Sequence, residues 1–182
     1  MDLNTPSAVD KEPSQWILQQ NIFFKKNLQI LDFACGFGRN SIPLAKNNSI
    51  IAIDKNRDAL SYLSKQGKID TLQCDLENTE EWPFQNLRFD VVIVCNYLHR
   101  ERLADLMRLV KLGGFLIYET FGIGNEKYGR PKNHKFLLKK GELNALLNDE
   151  FEILFDFFGL IKDPKKSIKS KILAKKVNVK ND

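Results

Sequence analysis

At 182 residues, with 43% hydrophobic and 28% charged residues, the chain has the length and composition of one ordinary globular domain with a single sizeable core. No apolar run approaches the ~18 residues a membrane-spanning helix needs, and the polar start from Met1 to Pro13 lacks the pattern of a signal peptide, so a cytoplasmic protein with no membrane partner is expected. The net charge of +5 is confined: residues 160–182 hold eight Lys against Asp163 and Asp182, net +6, which leaves −1 for the other 159 residues and only a basic C-terminal edge as a nucleic-acid or phosphate surface. Solvation or compositional drift is the competing account of that edge. Cys35, Cys74 and Cys95 are odd in number and make no C-x-x-C pair, so neither a disulfide framework nor a metal site is expected.

In chain order, Pro13 to Lys26 has the pattern of an amphipathic helical segment containing Trp16. Leu28 to Ala34 is a buried strand, ended by Cys35-Gly36-Phe37-Gly38, and Asn40 to Lys46 carries a helix. A second strand, Ser49 to Ile53, ends at Asp54 and precedes a helix over Arg57 to Lys65. Ile69 to Cys74 is the third strand, followed by an acidic loop from Asp75 through Pro83. Phe89 to Cys95 is almost wholly apolar, as a central parallel strand should be. Glu101 to Val110 forms a helix with Gly113-Gly114 as terminator, and Phe115 to Thr120 is the fifth strand. Phe121 to His134 is a loop long enough to act as a lid or binding loop. Lys140 to Leu147 is a helix, Phe151 to Phe158 alternates as a half-covered strand, and Ser167 to Lys176 closes a hairpin expected to supply an antiparallel edge partner. The pattern implies an α/β doubly wound seven-stranded sheet, mostly parallel with an antiparallel last strand and helices on both faces.

The chemistry concentrates where the first strand runs into its glycine turn, which sets a ligand at the carboxyl edge of the sheet. Gly36 and Gly38 allow a sharp turn and close backbone approach. Asp32 decides which ligand. A dinucleotide's pyrophosphate would be repelled by a carboxylate here, whereas the ammonium and sulfonium of S-adenosylmethionine would be favoured. Ser41 also holds the place of the dinucleotide fingerprint's third glycine. Asp54, 16 residues past Gly38, is placed to accept from ribose hydroxyls. Asp75 is placed to accept from an adenine amino group, and Leu76 to supply a backbone N–H and an apolar contact to the ring. Singly each Asp could be a strand-end cap; three in register after successive strands point to a site.

The fourth strand ends at Asn96-Tyr97-Leu98-His99-Arg100, next to the glycine turn. Asn96 or Tyr97 could orient the nucleophile or sulfonium, and His99 could take a proton from the acceptor or could merely begin a helix. Glu119, Tyr128 and Asn133 are the candidate substrate residues, and His134 is an exposed loop residue.

The stretch Leu31-Asp32-Phe33-Ala34-Cys35-Gly36-Phe37-Gly38-Arg39-Asn40 resembles the first motif of class I S-adenosylmethionine-dependent methyltransferases, in the form found in small bacterial tellurite-resistance and thiopurine-type members. Val110-Lys111-Leu112-Gly113-Gly114-Phe115-Leu116 is similar to the family's post-helix segment, with Leu112 where Pro is usual. The resemblance covers about residues 28–160 and implies a Rossmann-like fold and S-adenosyl-L-methionine as cofactor, and it implies no substrate. Trp16, Ala34 and Asn40 complete the expected cofactor-binding set. A helical segment over residues 1–27 is expected to cover that site, and residues 28–182 to form a methyltransferase domain. The acceptor is expected to be a small molecule and the protein a monomer or dimer. An RNA or protein methyltransferase docking through the basic edge is one alternative; a nicotinamide-dependent oxidoreductase or nucleotide-binding module is another.

Overall fold

The computed structural model describes residues 12–78, 83–84 and 86–178. Part of the expected N-terminal segment (1–11), part of the acidic loop (79–82) and Lys180 therefore lie outside the described residues. Seven strands form one sheet: β1 (Gln29–Phe33), β2 (Ser49–Asp54), β3 (Ile69–Gln73), β4 (Phe89–Cys95), β5 (Val110–Phe121), β6 (Phe151–Ile161) and β7 (Ser167–Lys176). Their order is β3-β2-β1-β4-β5-β7-β6. β1 to β5 pair in parallel, while β7 runs antiparallel to both β5 and β6.

The strand periodicity sorts side chains onto two covered faces. On one, Leu31, Phe33, Val92, Val94, Leu116, Tyr118, Ile172 and Ala174 pack with α4 (Leu103–Arg108) and α5 (Glu142–Leu147). On the other, Ile30, Ile50, Val91, Ile93 and Ile117 pack with Ile17 of α1 (Gln15–Leu18), Leu44 of α2 (Ser41–Leu44) and Leu60 and Leu63 of α3 (Arg57–Leu63). The doubly wound sheet with helices on both faces is thus observed.

Two expectations change. The final hairpin does supply the antiparallel edge of the sheet, but its last strand is not outermost: β7 lies between β5 and β6. Its Ile172 and Ala174 are fully buried, whereas β6 leaves Ile153, Leu154 and Phe155 exposed, although β6 is the more apolar of the two strands. The Gly113-Gly114 pair also belongs to β5 rather than to a helix terminator. Phe89 pairs with Val110 but Val91 with Phe115, so residues 111–114 bulge out of the ladder. Gly113 is left-handed at φ +77, and a Cβ on Gly114 would lie 2.9 Å from the carbonyl oxygens of Asp90 and Lys111.

Candidate active site

The parallel strands end together at one edge, and the backbone there is built for close approach. β1 leads into Ala34 and β4 into Asn96, both left-handed at φ 57, a conformation that costs a non-glycine residue about 1–3 kcal/mol and concentrates at functional sites. Gly36 and Gly38 are left-handed too, but their surroundings differ. A Cβ on Gly38 would lie 2.2 Å from Leu63 Cδ1; one on Gly36 would meet no atom within 4 Å. Gly38 therefore packs the turn onto α3, and Gly36 faces open space.

Asp54 organises that turn. Its Oδ2 accepts from the Gly36 N–H at 2.7 Å and its Oδ1 from the Asn56 N–H at 2.9 Å. Asp75, after β3, accepts from the Glu77 N–H at 3.1 Å and the Asn78 amide at 3.0 Å. The Asn78 hydrogen bond foremost holds its carboxyl below the usual range. Both carboxylates thus stand at adjacent strand ends, where the sequence put them.

Other expected contacts do not survive the geometry. Asp32 is 2% exposed and accepts from Ser41 Oγ at 2.6 Å, so its carboxylate braces the glycine turn from inside rather than facing a ligand. Burial pushes its pKa up to about 6, against the opposing pull of the Ser41 hydroxyl and Arg39. Leu76 is buried in the core with Phe84, which removes the expected apolar contact to an adenine ring. Asn40 is 3% exposed, and its Oδ1 accepts from the Ser14 N–H at 3.0 Å. It fastens the N-terminal segment instead of a cofactor. His99 lies 3.5 Å from Glu101 and shares a small crevice with Arg102, Leu103 and Leu106, outside the main cavity, so it is not positioned as a base.

The main cavity measures about 1360 Å³ and opens beside the β4 tip, towards β5, β7 and the long loop. It brings together Trp16, Asn96, Tyr97, Glu119, Tyr128 and Asn133 from the expected set. Gly36, Asp54 and Asp75 do not line it; they lie along the neighbouring strand ends, with Arg39 and Glu77 at the junction. The Tyr97 hydroxyl is buried with no hydrogen-bond partner among the described residues, and burial above all holds it neutral. Asn133 is engaged as the cap of the 134–136 turn, accepting from the Lys135 N–H at 2.9 Å.

Two side chains that sequence reading left on the basic edge belong to this cavity. Lys169 and Lys171 line it, with side chains 7% and 14% exposed. The β5–β7 register sets Lys171 opposite Glu119 and Lys169 opposite Phe121. Lys169 Nζ donates to Asn96 Oδ1, lies 3.9 Å from Glu119 Oε1 and sits 3.6 Å from the Phe121 ring centroid. Burial, only partly offset by Glu119, pulls its pKa below the usual lysine range. Ser167, Lys169 and Lys171 recur every second residue, so strand periodicity was the signal that could have set both lysines on one face. Lys176 also turns inward, donating to the Met107 carbonyl at 3.2 Å, so the edge is less basic outward than its composition suggests.

Two devices enclose the cavity. Ser14 Oγ donates to Glu119 Oε2 at 2.5 Å and caps α1, while Trp16 packs against Phe155 at 5.6 Å. The long loop is built rather than loose. Asn125, 1% exposed, accepts from the Ile168 N–H at 3.2 Å and donates to the Arg130 carbonyl at 3.3 Å. Arg100 clamps its far end, donating to Glu142 at 2.5 and 3.1 Å and to the Lys135 and Leu137 carbonyls at 2.6 and 2.8 Å. Among the described residues no group of three or more His, Cys, Asp or Glu could hold a metal, and no helix is long and apolar enough to cross a membrane.

Comparison with known proteins follows this geometry. The family model described as "Methyltransferase domain" matches residues 30–114. The ubiquinone biosynthesis O-methyltransferase of Rickettsia akari (strain Hartford) is 27% identical over 166 residues, covering 77% of this chain and 64% of that protein. The chain spans between 39% and 64% of the length of the curated relatives it matches. Among solved structures, a SAM-dependent methyltransferase from Aquifex aeolicus superposes with a TM-score of 0.67 at 17% identity, covering 96% of this chain and 95% of that one. TehB from Haemophilus influenzae superposes with a TM-score of 0.65 at 20% identity, covering 82% and 58%. Residues 30–114 are thus similar to a methyltransferase domain, and the sheet shares its fold with solved S-adenosylmethionine-dependent methyltransferases.

Proposed function

We propose that the chain transfers the methyl group of S-adenosylmethionine to a small molecule held in the cavity beside the β4 tip. The observation that carries this reading is the open space at Gly36, next to Asp54 and one strand away from a cavity lined by Asn96 and Tyr97. Gly36, Asp54 and Asp75 would hold the adenosine end, and Arg39 is the cation nearest the turn for the methionine carboxylate. When bound, the cofactor supplies a methyl carbon already made electrophilic by the sulfonium, so neither a metal nor a nucleophilic side chain is required.

The chain's own residues then have three tasks. Ser14, Trp16 and the 121–138 loop enclose the acceptor and exclude water. Asn96, fixed in a left-handed turn by Lys169, and Tyr97, with its unpartnered hydroxyl, are the groups that would orient the reacting atoms. Lys169, which donates to Asn96 and faces Glu119, keeps a cation at the acceptor end, where it could receive an acidic group of the acceptor. A small acceptor is favoured by the concave shape of the cavity and by the inward turn of Lys169 and Lys171, which weakens the RNA- or protein-docking alternative. The narrower kinship with tellurite-resistance and thiopurine-type enzymes is supported by the first motif and by the fold of TehB.

Titration calorimetry tests the cofactor. S-adenosylhomocysteine is expected to bind with a micromolar Kd and NAD at least about a hundredfold more weakly. NAD binding as tightly as S-adenosylhomocysteine would overturn the reading in favour of a nicotinamide enzyme.

A further inference from the structure

The cavity wall carries more positive charge than it neutralises. Lys169 and Lys171 face a single carboxylate, Glu119, and share its Oε1 at 3.9 and 3.7 Å, beyond hydrogen-bond length. Its other oxygen is taken by the Ser14 hydroxyl at 2.5 Å. Lys169 also donates to Asn96, but Lys171 reaches no hydrogen-bond acceptor among the described residues; it lies 5.4 Å from the Trp16 ring centroid. Arg39 adds a third cation, bound to the Glu12 carbonyl and the Cys95 thiol rather than to a carboxylate.

A buried ammonium whose N–H groups lack acceptors is costly, and the cost is removed when an anion binds beside it. Arg39 stands at the glycine turn, where the cofactor's own carboxylate is expected. That leaves, in the inner wall where charges are shielded from water, two lysines against one glutamate, an excess of one positive charge. Arg130, Lys132, Lys165, Lys166 and Asp163 at the mouth are exposed and screened by solvent. One excess charge suits a monoanion, a carboxylate, better than a phosphate monoester, which is close to a dianion at neutral pH. Trp16, Phe121, Tyr128, Phe136 and Ile161 give the wall its apolar and aromatic surface, while the exposed charged side chains line its mouth.

We propose that the methyl acceptor is a carboxylate with an apolar body, its carboxylate received by Lys171 and Lys169 and its body lying against Trp16, Phe121 and Tyr128. This rests on the methyl-transfer reading above. It assigns the lysines to recognition and leaves open which atom of the acceptor is methylated.

Titration calorimetry with 2-naphthoate and its neutral amide, 2-naphthamide, with and without saturating S-adenosylhomocysteine, tests it. Naphthoate is expected to bind at least about tenfold more tightly than naphthamide. Lys171→Met should bring the two within about twofold while S-adenosylhomocysteine affinity stays within about threefold, and Lys171→Arg should retain the preference. Equal binding of the two probes by the unaltered chain, or no binding of naphthoate, would overturn the proposal. So would a Lys171→Met variant that loses S-adenosylhomocysteine and keeps the carboxylate preference, since the lysines would then serve the cofactor's carboxylate. A carboxylate preference in a chain that does not bind S-adenosylhomocysteine would sink the methyl-transfer reading alone.

Discussion

Along the carboxyl edge of the sheet, the turn after β1 and the row across β5 and β7 meet different demands by different means. After β1 the backbone makes the site: left-handed Ala34, Gly36 and Gly38, with Asp54 tying the turn to β2 through one 2.7 Å hydrogen bond. Across β5 and β7 the backbone is regular, and the side chains of Glu119, Lys169 and Lys171 supply the character. The first arrangement tolerates almost no change in residue type. The second can change its ligand by exchanging one side chain, with the ladder left intact. Under the proposed function the turn would serve the cofactor and the row the acceptor, so a side-chain exchange in the row would leave the cofactor turn intact.

The contrast is tested most severely at Gly38. Gly38→Ala forces a Cβ to 2.2 Å from Leu63 Cδ1 at a φ of +71, and is expected to cost about 3–4 kcal/mol of stability from overpacking and left-handed strain. Urea unfolding would read it; a loss under about 1 kcal/mol would mean that the turn relaxes and is not rigidly specified.

Asp32 gives the next largest effect, through pH. Its folded pKa of about 6 lies above the ordinary carboxylate value, so its proton favours the fold. That contribution is complete below pH ~4 and is lost as pH rises through about 6. Relative to the unaltered chain, Asp32→Asn should therefore gain about 2–3 kcal/mol between pH 4 and pH 7, with the Ser41 hydroxyl still finding an oxygen to donate to. A difference independent of pH would show that Asp32 is ionised throughout.

On the other side of the comparison, Arg100→Ala removes four hydrogen bonds that fasten the long loop to α5. Arg100 is partly exposed, which tempers the loss to about 1–2 kcal/mol, and the amides of residues 134–138 should exchange faster with solvent. Unchanged exchange would mean that Asn125 alone secures the loop.

Gly36→Ala has the smallest expected effect on the fold and the sharpest meaning. With no atom near the added Cβ, only the left-handed strain of about 1 kcal/mol is lost, yet S-adenosylhomocysteine affinity should fall at least about tenfold. Affinity unchanged would place the cofactor elsewhere.

This same division explains what was legible in the sequence. Backbone requirements leave marks in residue type: two glycines after an apolar strand, and Asp54 at the end of the next, were enough to find the turn. Burial and pairing do not. Asp32 has the right residue type at the right spacing, but nothing local announces that Ser41 takes its carboxylate into the interior. His99 drew notice as a titratable group near neutrality, although the chain turns it away from the cavity. Lys169 and Lys171 were hidden among eight lysines, because only the pairing of β7 with β5, across some 50 residues of sequence, gives them Glu119 and Phe121 as neighbours. The strand boundaries of β4 and β7 were readable to the residue from their apolar and alternating runs. The insertion of β7 inside the sheet was not, since strand order is a matter of competing partners rather than of local pattern.

That insertion bears on how the chain is made. β7 is synthesised after β6, yet β6 has no place in the sheet until β7 lies beside β5. While the ribosome is still adding residues 151–166, the nascent sheet ends at β5, with its hydrogen-bonding edge and Ile117 uncovered. The contact between Ser14 and Glu119, 105 residues apart, likewise waits on distant partners. A growing chain therefore owns its glycine turn and Asp54 long before it owns Lys169 and Lys171, and a ribosome stalled between β6 and β7 would hold a formed glycine turn beside an unfinished β5 edge.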